Sequence, residues 1–249
     1  MGSWFRWIKK LYQNLNEKLE GVKAGKTGVG NTYFVDGQDG LDTNDGLTRD
    51  APFKTIAYAL TKCVALHDDY ILVLRGGGQT HPIAVTVDRV HIIGITNKGT
   101  PQTVSGYAAG AHICMTIDAE HVEIAGLTFL ADTTHPAIDV LSQCWGLWVH
   151  HCSFGEAGIA QHGIAADNEG PVGGLIEHNY FGEAIAENGC HFLGPTRTII
   201  RNNVFRCLSG VGIYLAGGSF GAILDNVFAA PDANGAAIKG NWYWWISCR

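Results

Sequence analysis

A phenylalanine returns about every 25 residues through the second half of the chain, and each time it closes the same short pattern. The segments are VEIAGLTF ending at Phe129, LWVHHCSF at Phe154, GLIEHNYF at Phe181, TIIRNNVF at Phe205 and GAILDNVF at Phe228, spaced 25, 27, 24 and 23 residues apart. Five positions before each Phe stands Ile124, Val149, Ile176, Ile200 or Ile223. Two positions before it stands Leu127, Cys152, Asn179, Asn203 or Asn226. Each segment reads as one strand of a parallel sheet, in coils stacked at about 4.8 Å, so that equivalent residues lie above one another. The Ile/Val and Phe columns point into a core. Asn179, Asn203 and Asn226 stack at an inward turn, where amides bond along the column and satisfy turn backbone.

A second strand follows each Phe: AIDVL at 137–141, GIAAD at 163–167, GCHFL at 189–193, GIYLA at 212–216 and AIKGN at 237–241. Ile138, Ile164, Cys190, Ile213 and Ile238 align and are expected inside. The next residue of each points outward, which gives a surface column of Asp139, Ala165, His191, Tyr214 and Lys239. Asp167 lies two residues beyond Ala165, on the same face. VHIIGIT at 90–96 reads as an earlier coil and ILVLRGG at 71–77 as the first strand. The expected fold is all-β: a single-stranded right-handed parallel β-helix over about residues 68–246. Its 33 glycines and 16% charged residues suit a chain of many tight turns.

Ahead of the coils, residues 3 to about 20 read as a separate amphipathic helix. Trp4, Ile8, Leu11 and Leu15 form one stripe, and Gly21 to Gly30 form a flexible linker. The chain therefore divides into 1–30 (helix and linker) and 31–249 (solenoid). So short a helix needs a partner surface. Trp242, Tyr243, Trp244 and Trp245 end the last coil and are expected either to cap it or to form an interface.

Thr32 to Val35 reads as a strand and Asp36 to Gly46 as an Asp/Gly-rich loop. A helix follows over about 51–66, capped by Asp50, with Pro52 in its first turn and Phe53, Ile56, Ala57 and Leu60 on its apolar face. This strand, the loop, the APFKTI stretch and the helix resemble the start of right-handed parallel β-helix proteins of the pectate-lyase-like superfamily. The resemblance covers about 35 residues. It implies that the helix plugs the N-terminal end of the solenoid, and the Asn column is a further feature of that superfamily. Both enzymes and viral spike or structural proteins belong to it.

Asp139, Asp167 and His191, with Tyr214 and Lys239, are the candidate catalytic residues. Paired carboxylates on one sheet face hydrolyse glycosidic bonds, and a Lys or Tyr of lowered pKa can abstract the proton in a lyase reaction. A second outward column holds Ala125, His150, Glu177, Arg201 and Leu224, in which Glu177 and Arg201 are expected to pair across coils. His150, His151, His162, His178 and His191 fall in at least two columns, so no metal site is expected. Asp36, Asp39, Asp42, Asn44 and Asp45 offer hard oxygen ligands of the kind calcium takes. Counted from Asp36, however, Leu41 and Leu47 occupy the Gly and Glu positions of an EF-hand, and the loop reads as turns. No cofactor is expected. The seven cysteines lack CxxC or Cys/His spacing and read as buried thiols.

A net charge of −6, with Arg6, Lys9 and Lys10 as the single basic cluster, speaks against nucleic acid as a partner. The N-terminus lacks the apolar core of a signal peptide, and no stretch is long and apolar enough to span a bilayer. The favoured expectation is a bacteriophage virion-associated structural or attachment protein, spike-like or decorating. It would be made in the host cytoplasm and carried on the virion, and it would bind other virion proteins and host surface polysaccharide. The resemblance implies a homotrimer. The alternative is a polysaccharide lyase or glycoside hydrolase acting on acidic polysaccharide.

Overall fold

The computed structural model describes residues 30–77, 79–95, 102–105, 113–131, 133–141, 144–155, 160–167, 170–194, 197–207, 210–216, 221–229, 238–240 and 245–247. The helix expected before residue 20, its Trp4, Ile8, Leu11 and Leu15, and the aromatics Trp242, Tyr243 and Trp244 lie outside the described residues, as does the side chain of Trp245.

Among the described residues the strands form three sheets of nine, six and seven strands, and every strand pairing is parallel. The first sheet runs from Thr32–Asp36 and Asp69–Arg75 through Val90–Gly94, Glu123–Ala125, Trp148–His150, Leu175–Glu177 and Ile199–Arg201 to Ala222–Leu224 and Trp245–Ser247. The second stacks Gln102–Ser105, Leu127–Leu130, Ser153–Phe154, Tyr180–Phe181, Val204–Phe205 and Val227–Phe228. The third stacks Ile83–Val85, Met115–Ile117, Ile138–Val140, Ala160–Ala166, Ile185–Phe192, Val211–Leu215 and Ile238–Gly240. The chain visits the first, second and third sheets in turn, which makes this a parallel β-helix.

The inward columns are those read from the spacing. Ile124, Val149, Ile176, Ile200 and Ile223 sit in register and are buried. The Phe side chains stack face to face, with centroids 5.1, 4.9, 4.6 and 5.1 Å apart from Phe129 to Phe228. Ile138, Ile164, Cys190, Ile213 and Ile238 form the inner column of the third sheet. Cys114, Cys144, Cys152, Cys190 and Cys207 are buried. Burial pushes the thiols of Cys152 and Cys207 up to about 12, so they pack as small hydrophobes.

Only two residues join the first sheet to the second in most coils. The first of each pair has a positive φ: Gly126 (67°), His151 (54°), His178 (55°), Asn202 (54°) and Asp225 (50°). His, Asn and Asp are the side chains that best tolerate this conformation. The second residue points inward and carries the Asn column. Asn179 Nδ2 donates to Asn203 Oδ1 at 3.1 Å, and Asn203 Nδ2 donates to Asn226 Oδ1 at 3.0 Å. The same oxygens accept the backbone N–H of Asn179 and Asn203, each at 2.9 Å. The Nδ2 groups of Asn179, Asn203 and Asn226 also reach the carbonyls of Val149, Ile176 and Ile200 at 2.8–2.9 Å.

The third sheet must pass close to the Phe stack. A Cβ on Gly163 or Gly189 would lie 2.6 Å from a ring carbon of Phe181 or Phe205 and 2.6 Å from a carbonyl oxygen of the next coil, so both positions require glycine.

The N-terminal end is closed by a helix shorter than the sequence implies. It spans Ile56–Leu60, is capped by Thr55 rather than Asp50, and buries Ile56, Ala59 and Leu60 against the core. It starts late because Phe53 bridges to Val35, and its N–H and C=O bond to Phe34 and Asp36. Asp42 then takes the amides of Lys54 and Thr55 at 2.9 and 3.0 Å. Asp36 and Asp45 of the preceding loop likewise hold turns. Asp36 accepts from the amides of Gln38 and Asp39 and from Arg75 Nε at 2.7 Å, and Asp45 accepts the Leu47 amide.

Asn203→Leu should cost about 1–3 kcal/mol, because it strips the buried Asn179 amide and the Ile176 carbonyl of partners. Chemical denaturation checks this. An unchanged midpoint would show that the column does not hold the coils together.

Candidate functional site

The outer face of the third sheet assembles the residues expected there. Thr116, Asp139, Ala165, His191, Tyr214 and Lys239 occupy one register column, each one coil from the next. Asp167 follows the strand Ala160–Ala166 and is exposed, with its Oδ1 4.0 Å from His191 Nδ1. The rings of His162 and His191 lie 4.2 Å apart, those of His191 and Tyr214 5.0 Å apart, and Lys239 Nζ stands 5.9 Å from the Tyr214 ring centroid. Glu187 completes the group, 3.6 Å from His162 Nε2.

Three groups on this face are displaced from their ordinary protonation behaviour. Burial, then the charge of Asp167, raises the carboxyl of Asp139, so it stays protonated to higher pH than a free aspartate. Burial lowers His191, against the opposing pull of Asp167 and Glu187. Burial, then His191, brings His162 down to about 4. His191 Nδ1 is shielded from solvent and has no hydrogen-bond partner among the described residues. A movement of about 1 Å by the exposed Asp167 carboxylate would close that pair. The face therefore sets a carboxyl that holds its proton beside an exposed carboxylate and neutral imidazoles, a combination suited to acid–base chemistry.

The first sheet carries a second polar network that sequence reasoning found only in part. Glu177 and Arg201 pair as expected, with Nε to Oε2 at 2.8 Å. The adjoining column, His91, Glu123 and Trp148, was not anticipated. Glu123 joins His91 Nδ1 at 2.6 Å and His150 Nε2 at 2.9 Å. Burial alone would raise this carboxyl, but the hydrogen bonds from His150 and His91 prevail and bring it to about 2. His150 Nδ1 lies 2.9 Å from His151 Nδ1. Burial, then the neighbouring His150 and His178, holds His151 down to about 3. For Glu123 and Trp148 the signal was present: each stands six positions before an aligned Phe, on the outward side of the strand. Among the described residues no group of three or more His, Cys, Asp or Glu is placed to hold a metal ion.

No family model and no curated protein matches this sequence. Among solved structures it is similar to the pectin methylesterase PemA from Erwinia chrysanthemi, with 12% identity, a TM-score of 0.47, and coverage of 83% of this chain and 69% of that one. It is also similar to a pectin methylesterase mutant in complex with a hexasaccharide, with 14% identity, a TM-score of 0.45, and coverage of 84% and 70%.

The lowered Glu123, His151 and His162 make the fold acid-sensitive in the same direction, against the smaller opposing effect of the raised Asp139. Glu123, at about 2 against 4.5 for the free group, contributes stability present above pH 4.5 and lost as pH falls toward 2. His151 and His162, at about 3 and about 4 against 6.5, resist protonation in the fold, so stability declines as pH drops below 6.5. The melting temperature should fall steadily from pH 7 to 4, and less steeply in His162→Gln. Equal slopes in the two proteins would remove His162 from this account.

Proposed function

We propose that the protein is a carbohydrate-active β-helix that hydrolyses glycosidic bonds on the outer face of its third sheet. The observation that carries this reading is Asp139, half-buried beside Asp167 and holding its proton to higher pH for that reason. The two residues stand one coil and two positions apart, which sets their Cα atoms about 8 Å apart. Inverting glycosidases space their carboxyls by about 6.5–9.5 Å, leaving room for water, and side chains on Cα atoms so placed can reach that separation. Asp139 gives its proton to the departing glycosidic oxygen. Asp167 takes a proton from the water that attacks the anomeric carbon from the opposite side, so the product has inverted configuration. His191, in the coil beyond Asp167 as seen from Asp139, steadies Asp167. Tyr214 and Lys239 extend the face by two further coils and offer a phenol and a cation to an acidic sugar chain. The same surface would serve a virion attachment protein that holds a host glycan without cutting it, and the test below separates the two roles.

The protein is incubated with a panel of acidic bacterial and plant polysaccharides, and new chain ends are followed by mass spectrometry and proton NMR. The expected products are saturated, with inverted anomers. Asp139→Asn should lower turnover about 10²–10⁴-fold without lowering the melting temperature. In Asp167→Asn, the Asp139 carboxyl resonance should titrate at lower pH, since a repelling charge has gone. Unsaturated products would transfer the chemistry to a proton-abstracting base such as Tyr214 or Lys239. Binding without new chain ends would leave attachment as the role.

A further inference from the structure

The first sheet presents a different surface, built around Trp148. Its indole lies over the imidazole of His150, with ring centroids 4.1 Å apart and planes 30° apart. His150 is thereby 1% exposed, while Trp148 remains 37% exposed. One face of the indole thus rests on the protein and the other is open to solvent. Its orientation is fixed at two points. Nε1 donates to Glu177 Oε1 at 3.1 Å, and the His150 beneath is itself held by Glu123 at 2.9 Å. Around the indole stand the half-exposed Arg201, tied to Glu177, and His178, whose Nε2 is 3.8 Å from Glu177 Oε2. Leu175 and Ile199 continue the apolar surface along the same column.

We propose that this surface is a glycan-binding site separate from the hydrolytic face, with the Trp148 indole as the platform for one pyranose ring. A pyranose has an apolar face of C–H groups and a rim of hydroxyls that both donate and accept. The open indole face matches the first. The half-exposed Arg201 and His178, which supply donors and an imidazole nitrogen, match the second. Because the indole is anchored before any ligand arrives, little side-chain freedom is lost on binding. The arrangement requires no charge on the sugar, and the site does not depend on whether the third sheet cuts glycans. It would tether a polysaccharide chain to one face of the solenoid and raise its local concentration at the other.

The test uses the full chain in affinity electrophoresis through gels containing polygalacturonate, xylan or galactomannan, beside a gel without polysaccharide. The wild type should be retarded by at least one of them. Trp148→Ala should weaken that retardation about tenfold, and Trp148→Phe should retain part of it. Asp139→Asn should be retarded as wild type is, and Trp148→Ala should cleave a short oligosaccharide at the wild-type rate. This keeps the site separable from the hydrolytic reading. Circular dichroism and melting curves establish that each variant is folded. Equal retardation of wild type and Trp148→Ala, or no retardation of the wild type in any gel, would overturn the proposal. So would light scattering in which Trp148→Ala abolishes self-association and leaves retardation unchanged, because the stripe of Trp148, Leu175 and Ile199 would then be a contact between copies of the chain.

Discussion

Each coil of this protein is located by hydrogen bonds from the coil before it, and the buried Asn column is where that dependence is strictest. A strand in a parallel sheet could slip along its neighbour and regain its backbone bonds two residues on. The amides of Asn179, Asn203 and Asn226 cannot do this. Each oxygen accepts a main-chain N–H of the preceding coil, and each nitrogen reaches a carbonyl there. A slipped coil would leave these groups buried and unpaired, at a free-energy cost that exceeds the gain from any ordinary contact. The Phe and Ile columns supply most of the apolar burial, but stacked identical side chains are tolerant of register. The amides supply the selectivity.

Vertical registration has a chemical consequence. In a parallel solenoid, residues at equivalent positions face their counterparts at coil spacing, whatever their charges. Where the neighbours are alike, their protonation must adjust. Burial, reinforced by Asp167, lets Asp139 hold its proton to higher pH, and burial, reinforced by His191, keeps His162 neutral. Where the neighbours are complementary, the opposite follows. Glu123, set between His91 and His150, is held ionised far into acid. One stacking rule thus produces a cluster of shifted acidic and imidazole groups on the third sheet and a locked network on the first.

The extent to which this was legible in sequence depends on the anchor each coil offers. The five coils that end in Phe align unambiguously, and from them the inward columns, the Asn column and the outward column of Asp139, His191, Tyr214 and Lys239 all follow by alternation. The earlier coil has no such anchor, because Val104 stands where the others have Phe. His91 therefore could not be placed opposite Glu123 from spacing alone. Trp148 was hidden differently: its column mixes His, Glu, Trp, Leu and Ile, and no single chemistry marks it as a column. The capping helix misled for a local reason. Asp50 and Pro52 make a good helix start, but Phe53 finds a strand partner in Val35, and a tertiary bridge outweighs a local propensity. The apolar runs at 33–35 and 71–74 carry a further feature that a single inward column does not explain. Phe34, Tyr70, Leu72 and Ile93 are buried on the outer side of the first sheet, in a cluster distinct from the core.

Since both outward faces depend on the same inward columns, their geometries are coupled. The strand Ile199–Arg201 delivers Arg201 to the first sheet, and two residues later Asn203 enters the core. The same coil then continues through Val211–Leu215 to deliver Tyr214 to the third sheet. A one-residue slip at Asn203 would invert the alternation of the coil, turning Arg201 and Tyr214 inward together. The two outward faces of such a scaffold therefore cannot drift independently. Their separation is fixed by the packing of the core, and variation in what they bind must come from substituting outward residues within columns whose positions the interior has already set.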